Sequence, residues 1–130
     1  MIKNLTIKAP FFEIGPKNYL WGDDVVELAK VADAASKKYN VDIIFTTPIV
    51  EIRRVKEATE KIHVFAPHMD PLTPGRGLAD ILPESLVAAG AEGVMLNHCE
   101  KPITLAQLKS TIKRAEEAGL ATIVCADSCA

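Results

Sequence analysis

The sequence predicts a parallel α/β fold, and three features carry that prediction. Short apolar runs alternate with longer amphipathic segments along the chain. Within each short run the apolar residues are consecutive rather than alternating, as expected of strands covered on both faces. Prolines, glycines and ionisable residues gather after the predicted strands, while the connections leading into them are short and plain.

PFFEIG at 10–15 predicts the first strand. After the loop GPKNYLWG, the segment DDVVELAKVADAASKKY places Val25, Leu28, Ala29 and Ala32 at helical spacing with Lys, Asp and Glu opposite, which predicts a helix of about four turns. VDIIF at 41–45 predicts the second strand, with Thr47 as N-cap and Pro48 as first helical position of IVEIRRVKEAT. IHVF at 62–65 is the third strand; the Pro- and Gly-rich loop APHMDPLTPGRGLAD then leads to a short helix that opens at Pro83 and closes at Gly90. EGVML at 92–96 is the fourth strand. Thr104 with Gln107 three residues later forms a capping box, and Leu105, Leu108, Ile112 and Ala115 give the inward stripe of a helix ending near Gly119. ATIVC at 121–125 closes the series as a fifth strand.

A chain of 130 residues, 48% apolar and 25% charged, fits one domain over 1–130 with a core of its own. Its net charge of -2, with Lys and Glu interleaved, offers no broad basic field, so small molecules or proteins are expected as partners rather than nucleic acid. No apolar stretch approaches the roughly 20 residues of a membrane span, and MIKNLTIKAP lacks the apolar core of a signal peptide, which predicts a cytoplasmic protein with no membrane contact. Cys99, Cys125 and Cys129 are odd in number and form no CxxC pair, so no disulfide framework is expected, and Cys125 reads as a small buried hydrophobe.

In parallel α/β folds the chemistry collects where loops converge at the carboxyl ends of strands. The run VMLNHCEKP at 94–102 changes there from apolar to ionisable, delivering Asn97, His98, Cys99, Glu100 and Lys101 to one rim. No Gly-rich phosphate fingerprint follows the first strand, which disfavours a nucleotide-binding sheet and favours a barrel. Five strands cannot close a barrel that needs eight and about 250 residues.

Residues 63–126, with FAPHMDPLTPGRGLADILPE, AGAEGVMLNHCEK and LKSTIKRAEEAGLATIVCA, resemble the middle of triose-phosphate isomerases, particularly their shorter archaeal-type branch. The resemblance implies an incomplete TIM barrel of about five strands and four helices. It implies aldose-ketose isomerisation of a short sugar phosphate, such as glyceraldehyde 3-phosphate and dihydroxyacetone phosphate, with neither metal nor organic cofactor. Such chemistry needs a carboxylate base, a lysine beside the developing oxyanion and a neutral histidine that polarises the carbonyl, an arrangement for which this family is itself the usual worked example. The resemblance makes His98 the electrophile, Lys17 the stabilising lysine and Glu100 the acid that holds Lys17, with His98 and Lys17 touching substrate.

The chain also departs from the family's pattern. Gly15-Pro16-Lys17 stands where Asn-x-Lys is usual, Cys99 where Ser is usual, and Leu78-Ala79 where Thr-Gly is usual in the third loop. These changes put the exact substrate in question and admit another short sugar phosphate. The family also continues for roughly three more strands that bring the catalytic glutamate and the phosphate site; Glu51, Glu57 and Glu60 do not replace that base. The expectation is negligible isomerase activity from these residues alone, with open strand edges that favour a homo-oligomer or pairing with a second half. The alternative is a self-associating half-barrel without catalysis.

Lesser features have plainer readings. His63, His68 and His98, with Asp70 or Cys99, are poorly spaced for a metal site. Cys99 is expected to point away from His98 because neighbours alternate in a strand. Tyr19 and Trp21 are expected to pack the first loop, and Pro67, Pro71 and Pro74 to stiffen an interface rather than approach a substrate.

Overall fold

The computed structural model describes residues 5–129; residues 1–4, the beginning of the stretch read for a leader, and residue 130 lie outside them. Five strands, β1 (Phe11–Ile14), β2 (Asp42–Thr46), β3 (His63–Ala66), β4 (Gly93–Leu96) and β5 (Ala121–Val124), alternate with four helices, α1 (Gly22–Tyr39), α2 (Ile52–Ala58), α3 (Pro83–Ala89) and α4 (Leu105–Ala118). All neighbouring strands are parallel and lie in sequence order, β1-β2-β3-β4-β5. The sheet curls into half a barrel.

Strand pleating sorts the side chains into two populations. Ile43, Phe45, Val64, Ala66, Val94 and Leu96 join Val25, Ala29, Ile52, Val55, Leu86 and Ala115 in one core between sheet and helices. The alternate positions, Ile44 and Thr46 on β2, Phe65 on β3 and Met95 on β4, therefore face the concave side. There the Phe65 ring lies against Gly93, whose place no larger residue can take because an added Cβ would sit 2.3 Å from the ring. β1 and β5 are the outer strands, and Phe11, Phe12 and Val124 on them are exposed.

At the amino ends of the strands the connections are tied by two acids, Asp33 buried and Glu92 half-buried. Asp33 Oδ1 accepts the backbone N–H groups of Glu60, Lys61 and Ile62, and its other oxygen pairs with Lys37 at 3.0 Å. Glu92 accepts from Val64 N and Lys56 Nζ and faces His63. Ser36 donates to the Val41 carbonyl. These bonds fix the entry to β2, β3 and β4, and so set where those strands end.

Several local expectations are corrected. Pro48 is the N-cap of a single 3-10 turn, Ile49–Glu51, that precedes α2, so neither Thr47 nor Pro48 takes its expected place. The 18 residues of α1 make five turns rather than four. The capping box of α4 is present, but Leu105 is 83% exposed; the helix starts at the rim, beyond the last strand residue, and its inward stripe is Leu108, Thr111, Ile112 and Ala115. Cys125 is only partly buried because β5 is an outer strand. Tyr19 and Trp21 are largely exposed and do not pack the first loop. Two hydrogen bonds hold that loop instead: Tyr19 N donates to Pro16 O, and Gly22 N donates to Glu51 Oε1.

Candidate functional site

At the carboxyl ends of the strands lies a cavity of about 360 Å³, within the range of small-molecule sites. Its lining includes Glu13, Lys17, Thr46, His68, His98 and Glu100. Glu13 and Thr46 sit in the last residues of β1 and β2, and Lys17, His68, His98 and Glu100 follow shortly after a strand has ended.

Lys17 follows β1 in a left-handed conformation, with φ of 53°, that a lysine rarely adopts. Pro16 and the turn closed by Tyr19 N hold it so, and the Gly22–Glu51 bond fixes where α1 begins. Backbone held in a sparsely populated region is characteristic of functional sites. The ammonium lies 3.1 Å from Glu100 Oε2, and that hydrogen bond and charge raise the Lys17 pKa above its ordinary value. Lys17 is therefore a cation at any physiological pH.

His98 is placed by Asn97, which has φ of 57° and a side chain that bonds in two directions. Asn97 Nδ2 donates to Cys125 O at 3.1 Å, and its Oδ1 accepts from Ile103 N at 3.1 Å, so one amide ties the end of β4 to the end of β5 and to the loop before α4. Asparagine is among the few residues that tolerate this backbone. A turn follows, closed by Lys101 N donating to His98 O.

Within that turn Glu100 N donates to His98 Nδ1 at 3.1 Å. Accepting this bond occupies the Nδ1 lone pair and leaves the ring proton on Nε2. The Glu100 carboxylate, 3.8 Å from Nδ1, is too distant to compete and is bonded to Lys17. Glu100 thus serves both partners, His98 through its backbone and Lys17 through its side chain.

The three residues singled out in the sequence, Lys17, His98 and Glu100, are brought together. Other expectations change. Cys99 does not point away from His98: its Sγ is 3.8 Å from Nδ1, because the chain has left β4 and strand alternation no longer applies. Pro67 lines the cavity, nearer to a substrate's place than expected. The histidines serve separate partners, His63 with Glu92, His68 with Asp70 and His98 with Glu100 N, and among the described residues no group of three or more His, Cys, Asp or Glu could hold a metal ion. No helix among them is long and apolar enough to cross a membrane.

Sequence reasoning missed Asn97 and Glu51 as the residues that position His98 and the Lys17 loop. It also missed Glu13, Thr46, Thr47 and His68 as cavity lining. Asn97 had a usable signal, being an amide at a strand end where left-handed backbone is common. Glu51 had none, since its partner is 29 residues away.

Residues 17–130 match the family model described as triosephosphate isomerase. Curated triosephosphate isomerases from Sulfurisphaera tokodaii and Saccharolobus solfataricus are 38% and 35% identical, over 94% and 93% of this chain and 54% of each relative. The chain spans about half the length of the curated relatives it matches. The crystal structure of triosephosphate isomerase from Bartonella henselae superposes with a TM-score of 0.77 over 89% of this chain and 50% of that one, at 21% identity, which supports the shared fold. The family match begins at Lys17 and runs through His98 and Glu100, and with it the chain belongs to the triosephosphate isomerase family.

Proposed function

We propose that this chain forms the carbonyl-polarising side of a site for aldose-ketose isomerisation of a short sugar phosphate. The observation that carries the reading is the double engagement of Glu100, which fixes a histidine N–H donor and a lysine ammonium on one cavity. His98 Nε2–H donates to the substrate carbonyl oxygen, which makes the C–H of the adjacent hydroxyl-bearing carbon acidic. A carboxylate takes the proton from that hydroxyl-bearing carbon, its electron pair forms the enediolate, and the proton returns to the former carbonyl carbon while the hydroxyl proton passes from one oxygen to the other. Lys17 stabilises the oxyanion formed in between.

The proton acceptor is proposed to lie outside these residues. Glu100 is committed to Lys17, Glu51 to Gly22 and Arg54, and Glu60 to Lys37. Glu13 lines the same cavity from β1, with its carboxylate turned back over Gly15. The 130 residues are accordingly proposed to bind and polarise a carbonyl compound with negligible turnover of their own.

Titrating dihydroxyacetone phosphate into the chain while recording the His98 ring nitrogens by NMR tests this. Nε2 is expected to shift and the shift to vanish in Lys17→Met, while a coupled assay with glyceraldehyde 3-phosphate stays at the uncatalysed rate. A silent His98 resonance at millimolar ligand, or turnover that survives His98→Gln, would overturn the assignment.

A further inference from the structure

Buried polar atoms in folded proteins almost always find a partner, and an atom without one calls for an explanation. Among the described residues, Thr46 Oγ1, Thr47 Oγ1 and His68 Nδ1 are buried and unpartnered. All three residues border the cavity that holds Lys17 and His98. Thr46 and Thr47 are 6% and 0% exposed and His68 is 9% exposed, so the wall they make is largely withdrawn from bulk solvent. The catalytic proposal uses none of them.

Their chemistry narrows what they can meet. His68 Nε2 lies 3.1 Å from Asp70 Oδ1. Burial alone would raise the Asp70 carboxyl, but the Ile81 N–H and His68 outweigh it and hold it below the ordinary range, so it is an acceptor. Nε2 therefore donates, and in the neutral ring Nδ1 is left as an acceptor. The threonine hydroxyls donate or accept. Glu13 adds a carboxylate to the same cavity, on the strand that leads to Lys17. Its oxygen reaches back to the space above Gly15, where an added Cβ would lie 3.2 Å from Oε1. A side chain at position 15 would crowd that carboxylate, so the glycine and the acid fit one another.

An anion suits this group badly, because the set holds a carboxylate and no cation. A protonated amine could donate to His68, Glu13 and the threonine oxygens but has no lone pair to accept the hydroxyl protons. A hydroxyl group does both.

We propose that Glu13, Thr46, Thr47 and His68 form a hydroxyl-reading subsite beside His98, so that the preferred substrate is a sugar phosphate carrying hydroxyls beyond those of a triose. This rests on the carbonyl-polarising reading of the same cavity. The sugar's hydroxyls donate to His68 Nδ1 and to Glu13 and accept from Thr46 and Thr47 as these side chains turn to meet them. A three-carbon substrate leaves part of the wall unmet. Sites that hydrogen-bond a hydroxyl discriminate strongly against compounds lacking it.

Affinities of the chain for glyceraldehyde 3-phosphate, erythrose 4-phosphate and ribose 5-phosphate, read from the His98 and threonine-methyl NMR signals, provide the test. At least one longer sugar is expected to bind about tenfold more tightly than the triose, the worth of one or two hydrogen bonds. Thr46→Val, which keeps the shape and removes an unpartnered hydroxyl, is expected to reduce that ratio to about threefold or less while raising Tm. Glu13→Gln is expected to reduce the ratio as well. Equal affinities for all three sugars, with His98 still shifting, would overturn the subsite and leave the carbonyl reading intact. No His98 shift with any sugar would overturn both. A lowered Tm in Thr46→Val would mark its hydroxyl as structural and count against the proposal.

Discussion

The two rims of the same curled sheet handle polar groups in opposite ways. At the amino ends, Asp33 and Glu92 gather backbone N–H groups and lysines until their carboxylates are well partnered. At the carboxyl ends, Lys17 and Asn97 hold left-handed backbone, and Thr46, Thr47 and His68 leave buried atoms unmet. Deviations from local rules concentrate where a fold does chemistry, while satisfied networks mark where it is held together. One rim has been built to keep the strands in register, and the other retains bonding capacity for a visitor.

The contrast can be broken most forcefully at Asp33. Asp33→Ala leaves three backbone N–H groups without their acceptor and Lys37 with Glu60 alone, and is expected to cost about 3 kcal/mol in a urea unfolding curve. A loss under about 1 kcal/mol would show that the amino rim is not the structural end.

Asn97→Ala should have a smaller effect on stability, about 1–2 kcal/mol, because two hydrogen bonds are lost and alanine dislikes the left-handed backbone. Its larger signature should be a weakened His98 response to dihydroxyacetone phosphate, which Asn97→Gly does not restore because the side-chain bonds remain absent. A variant that binds like the parent would detach Asn97 from the site.

Acid should act most gently, and chiefly through the amino rim. Burial pushes the Asp33 carboxyl up, but the N–H groups of Lys61, Ile62 and Glu60 and the Lys37 ammonium outweigh burial and hold it below its ordinary range. A carboxyl with a depressed folded-state value contributes stability above its unfolded pKa of about 3.9, and that contribution is lost as pH falls through the folded value. Glu92 behaves alike, with burial opposed by His63, Lys56 and the Val64 N–H. Unfolding free energy should therefore fall below about pH 5, and Asp33→Asn should flatten that decline. An unchanged slope in the variant would remove Asp33 as its source.

Much of this was legible because it is local. Thr104 and Gln107 announce a helix start within four residues, and Pro83 and Gly90 bracket α3 in the same way. Consecutive apolar residues marked the strands, since a parallel sheet is covered on its helical face and curled inward on the other. Leu105 misled because periodicity records which face a residue occupies and not whether the sheet extends far enough to cover it. At the site, Lys17, His98 and Glu100 were reached through resemblance, whereas the bond from Glu100 N to His98 Nδ1 depends on a turn that no spacing rule displays. The unpartnered threonines read in sequence as an ordinary strand end, because satisfaction is a property of three-dimensional neighbours.

The Phe65 ring seated on Gly93, its register partner on the neighbouring strand, has a consequence for how the sequence can change. Position 93 admits a side chain only if the aromatic at 65 shrinks in the same step, so the two substitutions are expected to be tolerated as a pair and costly one at a time.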